Sequence, residues 1–446
     1  MIELDKTQLL RTVEKEGIEF ANLVYVDLFG RTRSMLLSSD KLRSHLESPL
    51  GTGFDGSSGG LGLFVEKSDA FLRADASTFT ILPWEGKKTA AMICDVYGPD
   101  GASLRSCPRY IIRKSIDRMK TELGQNVEAV LGPEMEWYYL RMVDGKLEVA
   151  DEGGYMSPSS SDVAYEVKKE IALALKQVGI IPDKIHHEVP HSKAEINFQS
   201  NPALNAADAS VLYKMAVKAI ARSHGLIATF MPKPYSGRTG TGMHIHLNLV
   251  DTKNGTNLFS GKSSEHGLSA SALHFIGGLL EHAKALAAIT TPSVNSYKRL
   301  VPVPRFEAPV YLAWGVYNRS ALIRVPPSTP ENARIEYRPV DASCNPYLAF
   351  ACIIEAGIDG IKRKLTPPSP IQENVYHISA EERRKRGIDR LPSSLGEALN
   401  ELEKDLLMRN VLGDQVFEKY LTAKRDEWLD YCTLVTDWET QRYLDI

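Results

Sequence analysis

The sequence predicts an α+β protein in two parts, a small one over residues 1–105 and a large mixed one over 106–446. Three observations carry this. The chain has 446 residues, enough for two or three domains at about 100–200 residues each. Runs that alternate polar and apolar side chains, as strands do, recur between segments of helical period. The segment YGPDGASLRSCP (97–108) gathers Pro, Gly, Asp and Ser into the best linker in the chain.

Taken in order, residues 5–20 read as a short helix, and Asn22–Asp27 and Thr32–Leu37 as strands about the turn Leu28–Arg31. The glycine-rich stretch GTGFDGSSGGLGLF (Gly51–Phe64) lacks the strand–GxGxxG–helix setting of a dinucleotide site and reads as a loop. Strand-like segments follow through Val96. Beyond the linker, Arg109–Leu123 is a helix and Val127–Leu140 alternates like a strand.

Composition excludes several classes. At 43% hydrophobic and 24% charged residues the chain is ordinary globular protein, and a net charge of -3 offers no field for holding nucleic acid. The run EERRKR (381–386) mixes both signs and reads as a solvated helix. No apolar stretch reaches the roughly 18 residues that cross a bilayer, and the start lacks the pattern of a secretory signal. Cys94, Cys107, Cys344, Cys352 and Cys432 are odd in number and scattered, as free thiols in a reducing cytoplasm are.

The chemistry sits on alternating strands. In LGPEMEWYYL, Glu134 and Glu136 share a face opposite Met135 and Trp137; in TGMHIHLNLV, His244, His246 and Asn248 oppose Met243, Ile245 and Leu247. In ARIEYRPV, Arg334, Glu336 and Arg338 share a third face. Side chains at i and i+2 stand roughly 6–7 Å apart on one surface. One such strand alone is an ordinary solvated sheet. Three, together with Glu188 and Glu195 in HHEVPHSKAE, gather carboxylates that repel unless protonated or neutralised by a cation. Carboxylates with few imidazoles and no thiolate favour Mg²⁺ or Mn²⁺ over zinc. Arg299, Arg319, Arg324, Arg334 and Arg338 add guanidinium forks suited to carboxylate and phosphate oxygens, an arrangement for phosphoryl transfer without a P-loop.

At these residues the sequence resembles the glutamine synthetase family, in its bacterial and archaeal type I form. The resemblance runs nearly end to end through FDGSS (54–58), GPEMEW (132–137), HHEV with Glu195, FMPKP (230–234) and GTGMHIHL (240–247). It continues through NSYKRLVP (295–302), NRSALIRVP (318–326), RIEYR (334–338) and NPYLAF (345–350), all in the family order. It implies a β-grasp domain over 1–105 and, over 106–446, a catalytic domain built on a curved antiparallel sheet flanked by helices. It also implies two stacked hexameric rings, a dodecamer with active sites between subunits.

The implied reaction joins ammonia to the γ-carboxylate of L-glutamate, with ATP as co-substrate, through γ-glutamyl phosphate. The alternative acceptor is a small organic amine such as methylamine or a polyamine. By motif, Glu136, Glu188 and Glu195 hold one divalent ion, and Glu134, His244 and Glu336 a second that bridges nucleotide phosphates. Arg299 and Gly240 bind glutamate, while Arg319 and Arg338 stabilise the transferred phosphoryl group. His246, Arg324 and Arg334 contact the nucleotide, and Asp55 draws in ammonium with Ser58, Tyr155 and Glu188. Glu307 closes over the acyl phosphate. His186, His187 and His191 are expected to be structural or surface histidines, and Tyr376 an ordinary packing or surface tyrosine. Two departures from the type I pattern stand out: Thr239 where asparagine is usual, and Val303–Phe306, which carries a proline and no glycine, before Glu307.

Overall fold

The computed structural model describes residues 6–446 apart from 87, 262, 263, 265 and 304–307. Glu307 therefore lies outside the described residues. The first part is a six-stranded sheet in the order Thr32–Ser38, Phe20–Val26, Thr89–Tyr97, Asp69–Ala74, Thr52–Asp55, with Thr80–Ile81 also on Thr89–Tyr97. Phe20–Val26 and Thr89–Tyr97 run parallel, and the helices Lys6–Glu16 and Ser39–Glu47 accompany them, as in a β-grasp. Leu23, Leu72 and Met92 sit fully buried in this sheet's own core.

The second part is an eleven-stranded, almost wholly antiparallel sheet. Its path runs Trp314–Val316, Ile323–Val325, Ile335–Tyr337, Met243–Asp251, Val127–Val143, Lys193–Phe198, Pro182–His187. The alternation read from sequence is explained by its two faces. Met135, Trp137, Met243, Ile245 and Leu247 are buried on the face towards the helical layer, where the Trp137 ring meets Tyr213 of the helix Ala203–Ser223 and Phe230 just after the strand Ile227–Thr229. The polar positions between them face the opposite side.

The helix Ala203–Ser223 covers the apolar face, and Ala270–Glu281 crosses Pro346–Arg363 so closely that a Cβ on Gly278 would lie 2.0 Å from the Ala356 carbonyl oxygen. Asn345 starts Pro346–Arg363 by accepting the N–H groups of Tyr347 and Leu348, with proline at the first helical position, where its missing N–H costs nothing. The Asn345 amide also donates to the Asp27 carbonyl, tying the catalytic part to the N-terminal sheet. A second tie is Arg109, buried and paired with Asp75 and Asp95 from the N-terminal side and Asp208 from the helical layer.

Smaller expectations also meet the structure. The helix predicted over 109–123 spans Pro108–Leu123, and the strand predicted to end at Leu140 continues to Val143. The run at 381–386 forms the helix Ala380–Lys385 with exposed i,i+4 ion pairs. The five thiols are free, with four of them buried. Tyr376 packs edge-on against Tyr311. Among the described residues no helix is long and apolar enough to cross a membrane.

Candidate active site

Strand register assembles the site. His244 lies opposite Glu134, and His246 opposite Glu336, which in turn pairs with Arg324. On the other side of the long strand, Glu136 lies opposite Glu195, and Glu195 opposite His186. Residues far apart in sequence thus fall in rows across one polar face, because directly paired side chains stand about 5 Å apart.

At one end, ligand atoms of Glu134, His244 and Glu336 lie within 4.8 Å of one another. Glu336 is buried and accepts from Arg324 at 2.6 Å and Arg338 at 2.5 Å. Burial pushes its carboxyl up, but Arg338 and the imidazoles outweigh this and bring it down to about 2. Arg334 donates to His246 Nδ1 at 3.3 Å, which leaves Nε2 to donate to Glu134 at 3.0 Å. Burial and Arg338 lower the pKa of His244, favouring a neutral imidazole able to act as a ligand. Arg324 Nε and Arg338 Nε are buried with no acceptor among the described residues, as fits a cleft that receives anionic oxygens.

At the other end, ligand atoms of His186, Glu188 and Glu195 also lie within 4.8 Å of one another. Glu195 accepts from the Asn197 amide at 2.9 Å, and Glu188 from the Val189 N–H at 2.9 Å, both neutral donors. Burial, followed by Glu136, raises the pKa of both carboxyls, that of Glu195 well above the usual range. His186 Nδ1 is buried without a hydrogen-bond partner among the described residues and lies 3.7 Å from Glu188. Crowded carboxyls beside an orphan ring nitrogen fit a divalent cation.

Glu136, expected beside Glu188 and Glu195, lies opposite Glu195 and acts on both carboxyls. One of its oxygens also accepts from Lys193 Nζ at 2.8 Å and from the Gly242 N–H at 2.5 Å. His186 joins Glu188 and Glu195 as a further neighbour. Period two placed His186 on the Glu188 face, a signal the motif had masked. His187 and His191 have structural partners: His187 bridges Asp151 and the Glu188 carbonyl, and His191 contacts the Gly153 carbonyl.

Gly242 lies between the two ends. A Cβ there would lie 2.8 Å from Arg299 Nη2 and 3.2 Å from His244 Nε2, so a side chain would intrude where these groups meet. Gly240 is equally confined, at 2.3 Å from the Pro232 carbonyl oxygen. Arg299 is buried and donates to the carbonyls of Pro339 and Arg338 at 2.6 and 3.3 Å. Thr239 donates to the Val189 carbonyl, and Tyr138 to the Thr239 carbonyl, pinning this loop to the sheet.

Arg319 is exposed on a turn and acts on Glu188 through its charge. Tyr155 is 54% exposed, with its ring 5.7 Å from that of His186. Asp55 and Ser58 stand apart on the N-terminal sheet. Hydroxyls of Ser58 and Ser57 donate to Asp55 and hold its carboxyl well below the usual range. Among the described residues no hydrogen bond or ion pair joins either residue to the acid clusters.

Comparisons with known proteins identify the family. The family model for the glutamine synthetase beta-Grasp domain matches residues 17–99, and that for the glutamine synthetase catalytic domain matches 105–443. A glutamine synthetase of Thermotoga maritima is 43% identical over 439 residues, covering 97% of this chain and 98% of its own. One from Pyrococcus abyssi is 44% identical over 444 residues, covering 96% and 97%. The solved structure of GmaS in an ADP complex superposes with a TM-score of 0.89 at 31% identity, covering 98% of this chain and 99% of that one. Matched along its length by both halves of one family, the chain belongs to the glutamine synthetases and is an ATP-dependent ligase.

Proposed function

We propose that the enzyme joins ammonia to the γ-carboxylate of L-glutamate at the expense of ATP. The observation that carries this reading is the convergence, on one sheet face, of two acid–imidazole clusters with arginines whose buried nitrogens lack acceptors. Glu134, His244 and Glu336 would hold one divalent ion and Glu136, Glu188 and Glu195 a second, and Mg²⁺ or Mn²⁺ there would neutralise phosphate charge.

Arg299 and the Gly240 backbone orient glutamate so that a γ-carboxylate oxygen attacks the γ-phosphorus of ATP and ADP leaves. Arg319 and Arg338 neutralise the oxygens of the transferred group, while His246, Arg324 and Arg334 hold the nucleotide. Ammonia then attacks the acyl carbon, and phosphate departs. Asp55 attracts ammonium and takes its proton, with Ser58, Tyr155 and Glu188 around the acceptor. Because Asp55 and Ser58 lie apart from the clusters within one chain, they serve the site of a neighbouring subunit in a dodecamer of two hexameric rings. Glu307 retains the role of excluding water over the acyl phosphate. Free thiols and the absence of a spanning helix among the described residues support a cytoplasmic enzyme.

A second reading, ligation of a small organic amine, draws on Thr239 and on the segment before Glu307. The higher identity to proteins named glutamine synthetase favours ammonia. Phosphate release from ATP with glutamate and ammonium, set against methylamine and putrescine, tests the choice. Turnover with ammonium is expected, and activity with an organic amine alone would overturn it.

A further inference from the structure

We propose that the junction between the two sheets carries a second binding site, for a small polyhydroxylated organic anion of the sugar-phosphate or sugar-acid class. A cavity of about 770 Å³ lies there, within the size range of small-molecule pockets. None of its lining residues belongs to the cleft described above.

Both parts of the chain build its wall. His45, Arg73, Asp75, Asp95 and Tyr97 come from the first part, and Tyr110 and Arg113 from the helix Pro108–Leu123. Asp75 and Asp95 bring negative charge, but both are already claimed. The buried Arg109 pairs with them at 2.8 and 2.9 Å, and Arg113 at 2.9 and 3.3 Å. His45 brings no charge: its Nε2 accepts the Ala74 N–H, so Nδ1 holds the ring proton and donates it to Thr52.

The positive groups are not all spent. Lys6 and Arg73 line the cavity, and among the described residues no carboxylate forms an ion pair with either. The Arg73 guanidinium lies over the Tyr97 ring, 4.2 Å from its centroid. Stacked in this way, its N–H groups point outward in the plane, where they suit phosphate or carboxylate oxygens. Arg113 uses Nη2 on the two aspartates, but its buried Nε has no acceptor among the described residues. Asp95 is the complement. Its Oδ2 takes Arg109 and Arg113, while its Oδ1 is buried without a donor. Buried polar atoms left unpaired are costly, and one orphan donor with one orphan acceptor on the same wall calls for a molecule that satisfies both. An anionic oxygen answers Arg113, Arg73 and Lys6, and a hydroxyl answers Asp95. Such a ligand touches both parts of the chain at once and stabilises the folded state by mass action.

The test is binding to the full-length enzyme in EDTA, without nucleotide, measured by titration calorimetry and thermal melts. Ribose 5-phosphate and gluconate are the two polyhydroxylated anions, with inorganic phosphate and ribose as their separate halves. At least one of the two anions is expected to saturate with a Kd below about 1 mM and to raise the melting temperature as its concentration rises. Which one does so tells whether phosphate or carboxylate supplies the charge. Inorganic phosphate and ribose should each bind about tenfold or more weakly. Arg73→Gln, at an exposed residue, should weaken the anion about tenfold or more. Unchanged affinity in that variant would place the anion elsewhere and overturn the inference. So would inorganic phosphate binding as tightly as either anion, or neither anion saturating below about 1 mM. Should Arg73→Gln fail to fold, Lys6→Gln is measured in its place, with the same expected loss and the same overturning result. Every outcome leaves the proposed reaction standing, because neither residue lines the cleft.

Discussion

At one end of the cleft Glu134 and Glu336 face two arginines and two imidazoles; at the other, Glu136, Glu188 and Glu195 share one lysine. The first end is already neutralised by groups that also suit phosphate, so its carboxyls sit low. At the second, burial and then the neighbouring Glu136 push Glu188 and Glu195 up, with little positive charge to offset them. The cations across the strands, rather than the number of acids along them, set how far each carboxyl is neutralised.

Removing an acid should have opposite consequences at the two ends. Glu336→Ala strands two buried guanidinium groups and should cost about 3–5 kcal/mol in denaturant unfolding. It should also slow phosphate release on the order of 10²–10³-fold. A loss of stability below about 1 kcal/mol would mean that the arginines do not depend on Glu336. Asp55, an exposed acid belonging to neither end, offers a control for chemistry without burial. Asp55→Ala should reduce ammonium-dependent turnover about 10²-fold or more and leave the melting temperature unchanged. Unaltered kcat and KM for ammonium would remove Asp55 from the reaction.

Glu195→Gln probes the crowded end. Burial and its neighbours raise the folded-state pKa of Glu195, so the folded chain holds this proton more tightly than the unfolded chain. The stability tied to this proton is greatest below the unfolded pKa and is lost as pH rises toward the folded value. In EDTA the variant, which keeps an oxygen for Asn197, should gain on the order of 1 kcal/mol at pH 8 and little at pH 4. Equal gains at both pH values would contradict crowding as the cause. The smallest effect belongs on the surface. Arg386→Ala breaks exposed pairs with Glu382 and Glu373 and should shift stability by no more than about 1 kcal/mol, as thermal melts can check.

Much of this site was legible because a strand has a period of two. Glu134 with Glu136, His244 with His246, and Glu336 with Arg338 each share a face on sequence alone. Which pairs meet across strands is another matter. Sheet order sets that His244 opposes Glu134 and His186 opposes Glu195, and no local pattern carries this order. Lys193 and His186 lie within reach of the same periodicity, but the motif runs through the acids, which leaves Lys193 unmarked and His186 expected as a structural or surface histidine. Asp55 was legible only through its motif, since the glycine-rich stretch reads as a loop although its start, Thr52–Asp55, forms a strand. Near the linker, the turn residues were informative, whereas Arg109 gave no hint that it would draw three aspartates from both sides.

That guanidinium has a consequence for the molecule as a machine. Prising the small sheet from the large one would leave Arg109 facing Asp208 alone and strip Asp75 and Asp95 of both Arg109 and Arg113, which share the helix Pro108–Leu123. The junction is thus riveted at Arg109: the sheet whose strand Thr52–Asp55 carries Asp55 is fastened to the helical layer of its own chain.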